Sequence, residues 1–234
     1  MRRATTEDLA RQHGMPGEWA KVRGTVLSLW PLFMCFALLG AFGAALALGR
    51  HTLLFALLFM VSLVVTAMFW RRGLRRVESF FKGARGEERV AARLATLPGG
   101  YHVFHDFVAG GHHVDHVVAG PSGVFAVETK SWRGQVTVED GELIVNGHLP
   151  DRAPLAQAQR EASAVKAALR RAGWDGDVIP VLCFASGTFA DGRRQLGAVT
   201  VLNADGLVEW MRGLAAVLPA SDVERLAQLM ETCA

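Results

Sequence analysis

Two long uncharged runs dominate the first third of the chain. Val26 to Leu48 carries no charged residue over about 23 positions, and Thr52 to Trp70 carries none over about 19. A helix of about 20 apolar residues crosses the hydrocarbon core of a bilayer. Helices apolar on all sides belong in membranes or in very large cores. The pattern therefore predicts a transmembrane helical hairpin, with spans at 26–48 and 52–70 joined by Gly49-Arg50-His51. The first run begins too far into the chain, and lacks a small-residue cleavage site, to read as a signal peptide. Arg2, Arg3, Arg11, Lys21 and Arg23 lie in the segment 1–25, and Arg71, Arg72, Arg75 and Arg76 in a basic connector, 71–82. By the positive-inside rule both termini lie in the cytoplasm, with the protein in the inner or plasma membrane. Trp30 and Trp70 stand where interfacial aromatics stand, and Pro31 can kink the first span. Gly40, Ala41, Gly43, Ala44 and Ala45 would let the two helices approach closely, and a homo-oligomer through the hairpin is a further expectation. Neither span holds a charge, which argues against a transport pathway.

From Gly83 the pattern changes to that of a soluble domain, 83–234. Gly83-Ala84-Arg85-Gly86-Glu87-Glu88 opens a helix in which Val90, Ala91, Leu94 and Leu97 repeat at helical spacing, ended by Pro98-Gly99-Gly100. There Glu87 falls in the first turn, where the helix dipole favours a carboxylate. Tyr101 to Val108 reads as a strand, and Gln135–Glu139 with Glu142–Val145 as a hairpin around Asp140-Gly141. Pro154 starts a helix with Leu155, Ala158, Ala162, Val165, Ala168 and Leu169 on its apolar face. The unbroken apolar run 178–185 reads as a strand covered on both faces, followed by a short strand at 199–202. Two amphipathic helices close the chain, at about 205–217 and 221–231, the second with Ser221 and Glu224 spaced as a capping box. The fold class is α/β, a mixed central sheet flanked by helices and preceded by the membrane hairpin.

Between these elements, Val114–Ala119 and Val124–Thr129 are short apolar strands joined by Gly120-Pro121-Ser122-Gly123. If those four residues make the turn, Ala119 faces Val124 and Asp115 faces Glu128. Lys130 lies on the same face as Glu128. Two carboxylates so placed repel, so that one holds a proton or a cation lies between them. Oxygen ligands suit Mg²⁺ or Mn²⁺, and a neighbouring lysine can orient water or stabilise charge on a phosphate. The alternative is a plain ion pair of Lys130 with Glu128 or Asp115 at a strand end.

Composition narrows this only a little. The net charge of +3 makes no case for nucleic acid by itself. Cys35, Cys183 and Cys233 lack the spacing of a disulfide framework or a zinc site and fit a reducing compartment. Among His102, His105, His112, His113 and His116, alternation along a strand sends His113 and His116 to opposite faces, which argues against zinc. His116 is expected to support the ligands or touch a phosphate.

Gly83-Ala84-Arg85-Gly86-Glu87, Val114-Asp115-His116-Val117-Val118, Gly123 to Trp132 with Gly134, and Pro154-Leu155-Ala156-Gln157 occur in that order. In these residues the soluble part resembles the nuclease-related domain family, NERD, a branch of the PD-(D/E)xK restriction-endonuclease-like nucleases. The likeness runs from about Gly83 to Phe184. It implies a restriction-endonuclease-like core, with Asp115, Glu128 and the Thr129 carbonyl as metal ligands and Lys130 as the catalytic lysine. It further implies Glu87 as a helix-borne acid near the metal or its water, and Gln157 at the site or the DNA. His113 and Ser131 stand where the family usually has Gln and Asn. The resemblance implies a membrane-anchored, Mg²⁺- or Mn²⁺-dependent nuclease that hydrolyses phosphodiesters, DNA foremost. The competing expectation is a non-catalytic module of the same fold that binds nucleic acid or protein at the membrane.

Overall fold

The structure, a computed structural model, describes residues 9–47 and 52–233. The chain divides into two compact units. One is Trp19–Lys82, and the other joins the residues up to Glu18 with those from Gly83 onward.

The first unit is a pair of antiparallel helices drawn from α1 (Glu18–Ala47) and α2 (Thr52–Leu94). Gly24 lies against Phe80, and Phe42 stacks on Phe59 with ring centroids 4.8 Å apart. The Arg23 guanidinium sits over the Trp19 ring. The helical hairpin read from the sequence is therefore present, but as part of longer helices with charged ends, from Glu18 in α1 to Arg93 in the last turn of α2. Among the described residues no helix is long and apolar enough to cross a membrane. The transmembrane hairpin is thus not carried by the structure. The connecting Gly49-Arg50-His51, together with Leu48, Arg2 and Arg3, lies outside the described residues, as do the side chains of Pro31, Trp70, Arg71, Arg72, Arg75 and Arg76.

The second unit holds the sheets. Its strands are β1 (Arg11–His13), β2 (His102–Ala109), β3 (His112–Gly120), β4 (Gly123–Lys130), β5 (Gln135–Glu139), β6 (Glu142–Val145), β7 (Val178–Phe184), β8 (Thr188–Phe189), β9 (Arg193–Leu196) and β10 (Val199–Asn203). Its remaining helices are α3 (Pro154–Arg171), α4 (Ala204–Gly213) and α5 (Ala220–Cys233). Seven strands form one mixed sheet in the order β1-β2-β3-β4-β7-β10-β9, and β6-β5-β8 form a small second sheet. Strands β4, β7 and β10 run parallel, while β2, β3 and β4 form an antiparallel meander. Helices α2 and α4 cover one face of the large sheet through Val90, Leu94, Leu207 and Met211. Helices α3 and α5 cover the other through Val165, Leu169, Leu226 and Met230. This is the α/β layering expected from the sequence.

Three local differences matter. First, α2 runs unbroken through Gly83 and Gly86, so Glu87 sits inside a helix of 43 residues and not in a first turn. The dipole account of Glu87 therefore fails. Gly86 is needed for contact: a Cβ there would fall 1.7 Å from the Ser131 hydroxyl. Second, α5 begins at Ala220 and the amides of Asp222 and Val223 bond the Pro219 carbonyl, so Ser221 lies within the helix and no capping box forms. Glu224 instead meets Arg11 at 3.2 Å. Third, Arg11–His13 adds to the sheet edge parallel to β2.

Candidate active site

The turn between β3 and β4 sets the site. Gly120 pairs with Gly123 and Ala119 with Val124, the register expected from the turn length. Tyr101 explains the first glycine: its ring would lie 2.1 Å from a Cβ at Gly120, and its hydroxyl bonds Ser122 Oγ at 2.9 Å. The β3–β4 ladder runs back as far as His116 opposite Val127. One step further come Asp115 and Glu128. There the Thr129 amide donates to Asp115 Oδ2 at 2.7 Å, so a carboxylate has taken the acceptor's place. In a strand the N–H and C=O of one residue point to the same edge, so the Thr129 carbonyl also turns toward Asp115.

The other side chains arrive from β4 and α3. Lys130 Nζ donates to Glu128 Oε1, and to Gln157 Oε1 at 3.0 Å. Gln157 Nε2 donates to Glu128 Oε1 and to Glu161 Oε1, each at 2.8 Å. The Gln157 amide is thereby held in one orientation, oxygen to the lysine and nitrogen to two carboxylates. Pro154 at the first position of α3 and the apolar stripe Ala158, Ala162 and Val165 press this helix to the sheet. That packing aims Gln157 and Glu161 inward.

Charge is unbalanced here. Glu128 and Glu161 are buried, with 4% and 5% of their surface exposed. Burial, then the charge of Glu128, pushes the Glu161 carboxyl up to about 9. Asp115 is raised well above the ordinary carboxylate range by burial, then by Glu128 and Glu87, with the Thr129 amide partly offsetting them. Glu161 Oε2 is buried without a hydrogen-bond partner. Three carboxyls and the field of a fourth thus share one lysine, and in the absence of a further cation Asp115 and Glu161 favour their protonated forms.

Of the residues singled out from the sequence, Asp115, Glu128, Lys130 and Gln157 are brought together, and Glu87 lies within electrostatic reach of Asp115. His116 is placed differently. It is fully buried, its Nδ1 is 2.8 Å from His105 Nδ1, and His105 Nε2 meets Gln12 Oε1 at 2.8 Å. So enclosed, it cannot touch a phosphate. Burial, then the His105 imidazole, holds His116 down to about 3, and burial, then the His13 imidazole, holds His105 to about 4, so both are neutral. Glu161 joins the cluster beyond the residues that the sequence singles out, and its signal is a position one turn from Gln157, within the apolar stripe of the helix.

Among the described residues, no group of three His, Cys, Asp or Glu stands ready to hold a metal ion. The donor chemistry nonetheless fits a hard divalent cation. The acceptors are all oxygens, an excess of carboxylate needs charge, and Glu161 Oε2 is buried with no hydrogen-bond partner.

The fold and the site together define an α/β sandwich with clustered carboxylates and a lysine at the carboxyl end of a central strand. Residues 82–185 match the nuclease-related domain family, NERD. That span holds Glu87, Asp115, Glu128, Thr129, Lys130, Gln157 and Glu161. No curated protein and no solved structure shows significant similarity to the chain.

Proposed function

We propose that the sheet domain is a divalent-metal-dependent phosphodiesterase acting on nucleic acid, DNA foremost. The observation that carries this reading is the convergence of Asp115, Glu128, Glu161, Lys130 and Gln157, with protons held on carboxyls that lack a cation. Asp115, Glu128 and the Thr129 carbonyl would hold Mg²⁺ or Mn²⁺, with Glu87 and Glu161 close by. When bound, the metal supplies Lewis acidity and lowers the pKa of a water. Gln157 positions Lys130 and Glu128 relative to one another. Lys130, released from Glu128 when a cation takes its place, is set to neutralise charge on a phosphate oxygen.

The test is plasmid nicking by the full-length chain with Mg²⁺, Mn²⁺ or EDTA, beside calorimetric Mn²⁺ titration. Lys130→Ala should lose cleavage by about 10²–10³, the worth of one such donor, while still binding Mn²⁺. Wild-type cleavage by this variant would end the nuclease reading. The absence of a ready-made three-ligand group among the described residues favours the second reading, a non-catalytic module. Binding of DNA without metal uptake or nicking would establish it.

Membrane attachment through residues 26–70 is part of the proposal. Its support is the exposed apolar side chains of α1 and α2, among them Val26, Trp30, Phe33, Phe36, Leu53, Leu57 and Val64. Contiguous apolar surface of this kind marks a membrane or partner contact. Fractionation and reporter fusions at both termini should place the protein in the inner or plasma membrane with each terminus cytoplasmic. A single external reporter signal would overturn that topology.

A further inference from the structure

We infer that the groove between α3 and the β2–β3 turn is a phosphate track, along which the backbone of a nucleic acid runs away from the carboxylate cluster. The inference rests on the nucleic-acid part of the proposed function and adds a place and a set of residues to it.

The groove begins at the site itself. An open depression of about 520 Å³ is lined by Gln157 and Glu161 at one end, and by His112, Arg152 and Arg160 beyond. A second, of about 550 Å³, continues from His112 and Arg160 to Arg171. The only acidic residue along either is Glu161, which belongs to the site. Arg152, Arg160 and Arg171 are all exposed. Among the described residues no ion pair involves Arg152, Arg160 or Arg171; the pairs nearest the groove are His113–Asp106 at 3.5 Å and Lys130–Glu128 in the site, and the others, such as Arg11–Glu224, Arg93–Asp205, Lys166–Asp177 and Arg194–Asp191, fall elsewhere. Three exposed arginines along one groove, none paired with an acid among the described residues, offer successive contacts to an anion that is itself extended.

The spacing suits a polyphosphate chain. Arg160 and Arg171 stand eleven residues apart on one helix, a rise of about 16 Å at roughly 1.5 Å per residue. A duplex of that length carries on the order of ten phosphates. Gly110 and Gly111 have φ of +56° and +82°, and a Cβ at Gly110 would lie 3.4 Å from Arg171 Nη2. The other large depression, beside β9 and α4, is chemically mixed: Arg193 and Arg194 share it with Asp205 and Glu209. It therefore serves as the control.

The experiment measures binding of a labelled DNA duplex to the full-length chain in a neutral detergent, with EDTA present to stop chemistry. Affinity is followed by fluorescence anisotropy between about 50 and 200 mM salt. Each phosphate contact adds about 0.9 to the slope of log K against log salt. The double variant Arg160→Ser/Arg171→Ser should lower that slope by about 2, whereas Arg160→Lys/Arg171→Lys should keep it. Arg193→Ser/Arg194→Ser should leave it unchanged. An unaltered slope in the first variant, an equal fall in the last, or no binding by the wild type would each overturn the track. Cleavage is read separately. A wild type that binds with this slope but does not nick defeats the nuclease reading alone, and one that nicks with a slope indifferent to Arg160 and Arg171 defeats the track alone.

Discussion

Glu161 is the residue at which the site's electrostatics can be weighed most directly. Glu161→Gln replaces a buried carboxyl that holds its proton up to about 9 with a neutral group of the same shape. In the unfolded chain the carboxyl titrates at its ordinary 4.5. Because the folded value is raised, this group's contribution to stability is complete below 4.5 and is lost as pH rises toward 9. At pH 7 folding must take up a proton across 2.5 pH units, which costs about 3 kcal/mol at about 1.4 kcal/mol per unit. At pH 5 the same cost is below about 1 kcal/mol. Glu128 shares the repulsion, so these figures are ceilings. Glutamine keeps the bond from Gln157 Nε2 and carries no such cost. Urea unfolding of the full-length chain in EDTA should therefore find the variant more stable than wild type, by up to about 3 kcal/mol at pH 7 and by little at pH 5. Equal stability at both pH values, or a variant weaker at pH 7, would refute the account of a cluster short of positive charge. The same variant should release fewer protons when Mn²⁺ binds, read from the buffer dependence of the binding enthalpy.

Gly86→Ala drives a methyl group into the Ser131 hydroxyl and should cost about 1–3 kcal/mol of stability. Adding Ser131→Ala should return part of that loss, and a urea midpoint unmoved by the glycine change would show that α2 has room there. His105 is held to about 4 against 6.5, so the stability gained from its neutral form is present above pH 6.5 and lost as pH falls toward 4. Between pH 7 and pH 5 the stability of His105→Gln relative to wild type should therefore rise by about 2 kcal/mol. Parallel pH profiles for the two proteins would argue that the imidazole pair is not buried neutral.

Much of the site could be read before any coordinates because it rests on short-range rules. The turn Gly120–Gly123 sets a register, the register opposes Asp115 to Glu128, and alternation brings Lys130 to their side. Asp140-Gly141, with φ of +51° and +82°, folds the β5–β6 hairpin for the same local reason. What stayed hidden depends on distant partners. Arg11–His13 is three polar residues without alternation, and only β2, with its histidines, makes it a strand. The two residues of β8 are too few to show a period. Ser221 and Glu224 carry the spacing of a cap, but Pro219 offers its carbonyl first and Arg11 claims the glutamate. Glu161 stands among Ala158, Ala162 and Val165 in an apolar stripe, where periodicity marks burial and says nothing of chemistry. Its place in the cluster depends on Gln157 one turn away and on Glu128, which lies across the layer on β4.

The edge strand β1 carries a consequence for how the molecule is made. His13 and His102 meet at 3.2 Å although 89 positions separate them. Closing a free loop of that length would cost about 4 kcal/mol in chain entropy. Here Gly24 rests on Phe80, so once α1 and α2 pair, only the 11 positions from His13 to Gly24 and the 22 from Phe80 to His102 are left to close. The helical pair is thus a covalent staple for the sheet's first strand. A fragment begun at Gly83 would leave the β2 edge bare, with its amides and carbonyls open to neighbours.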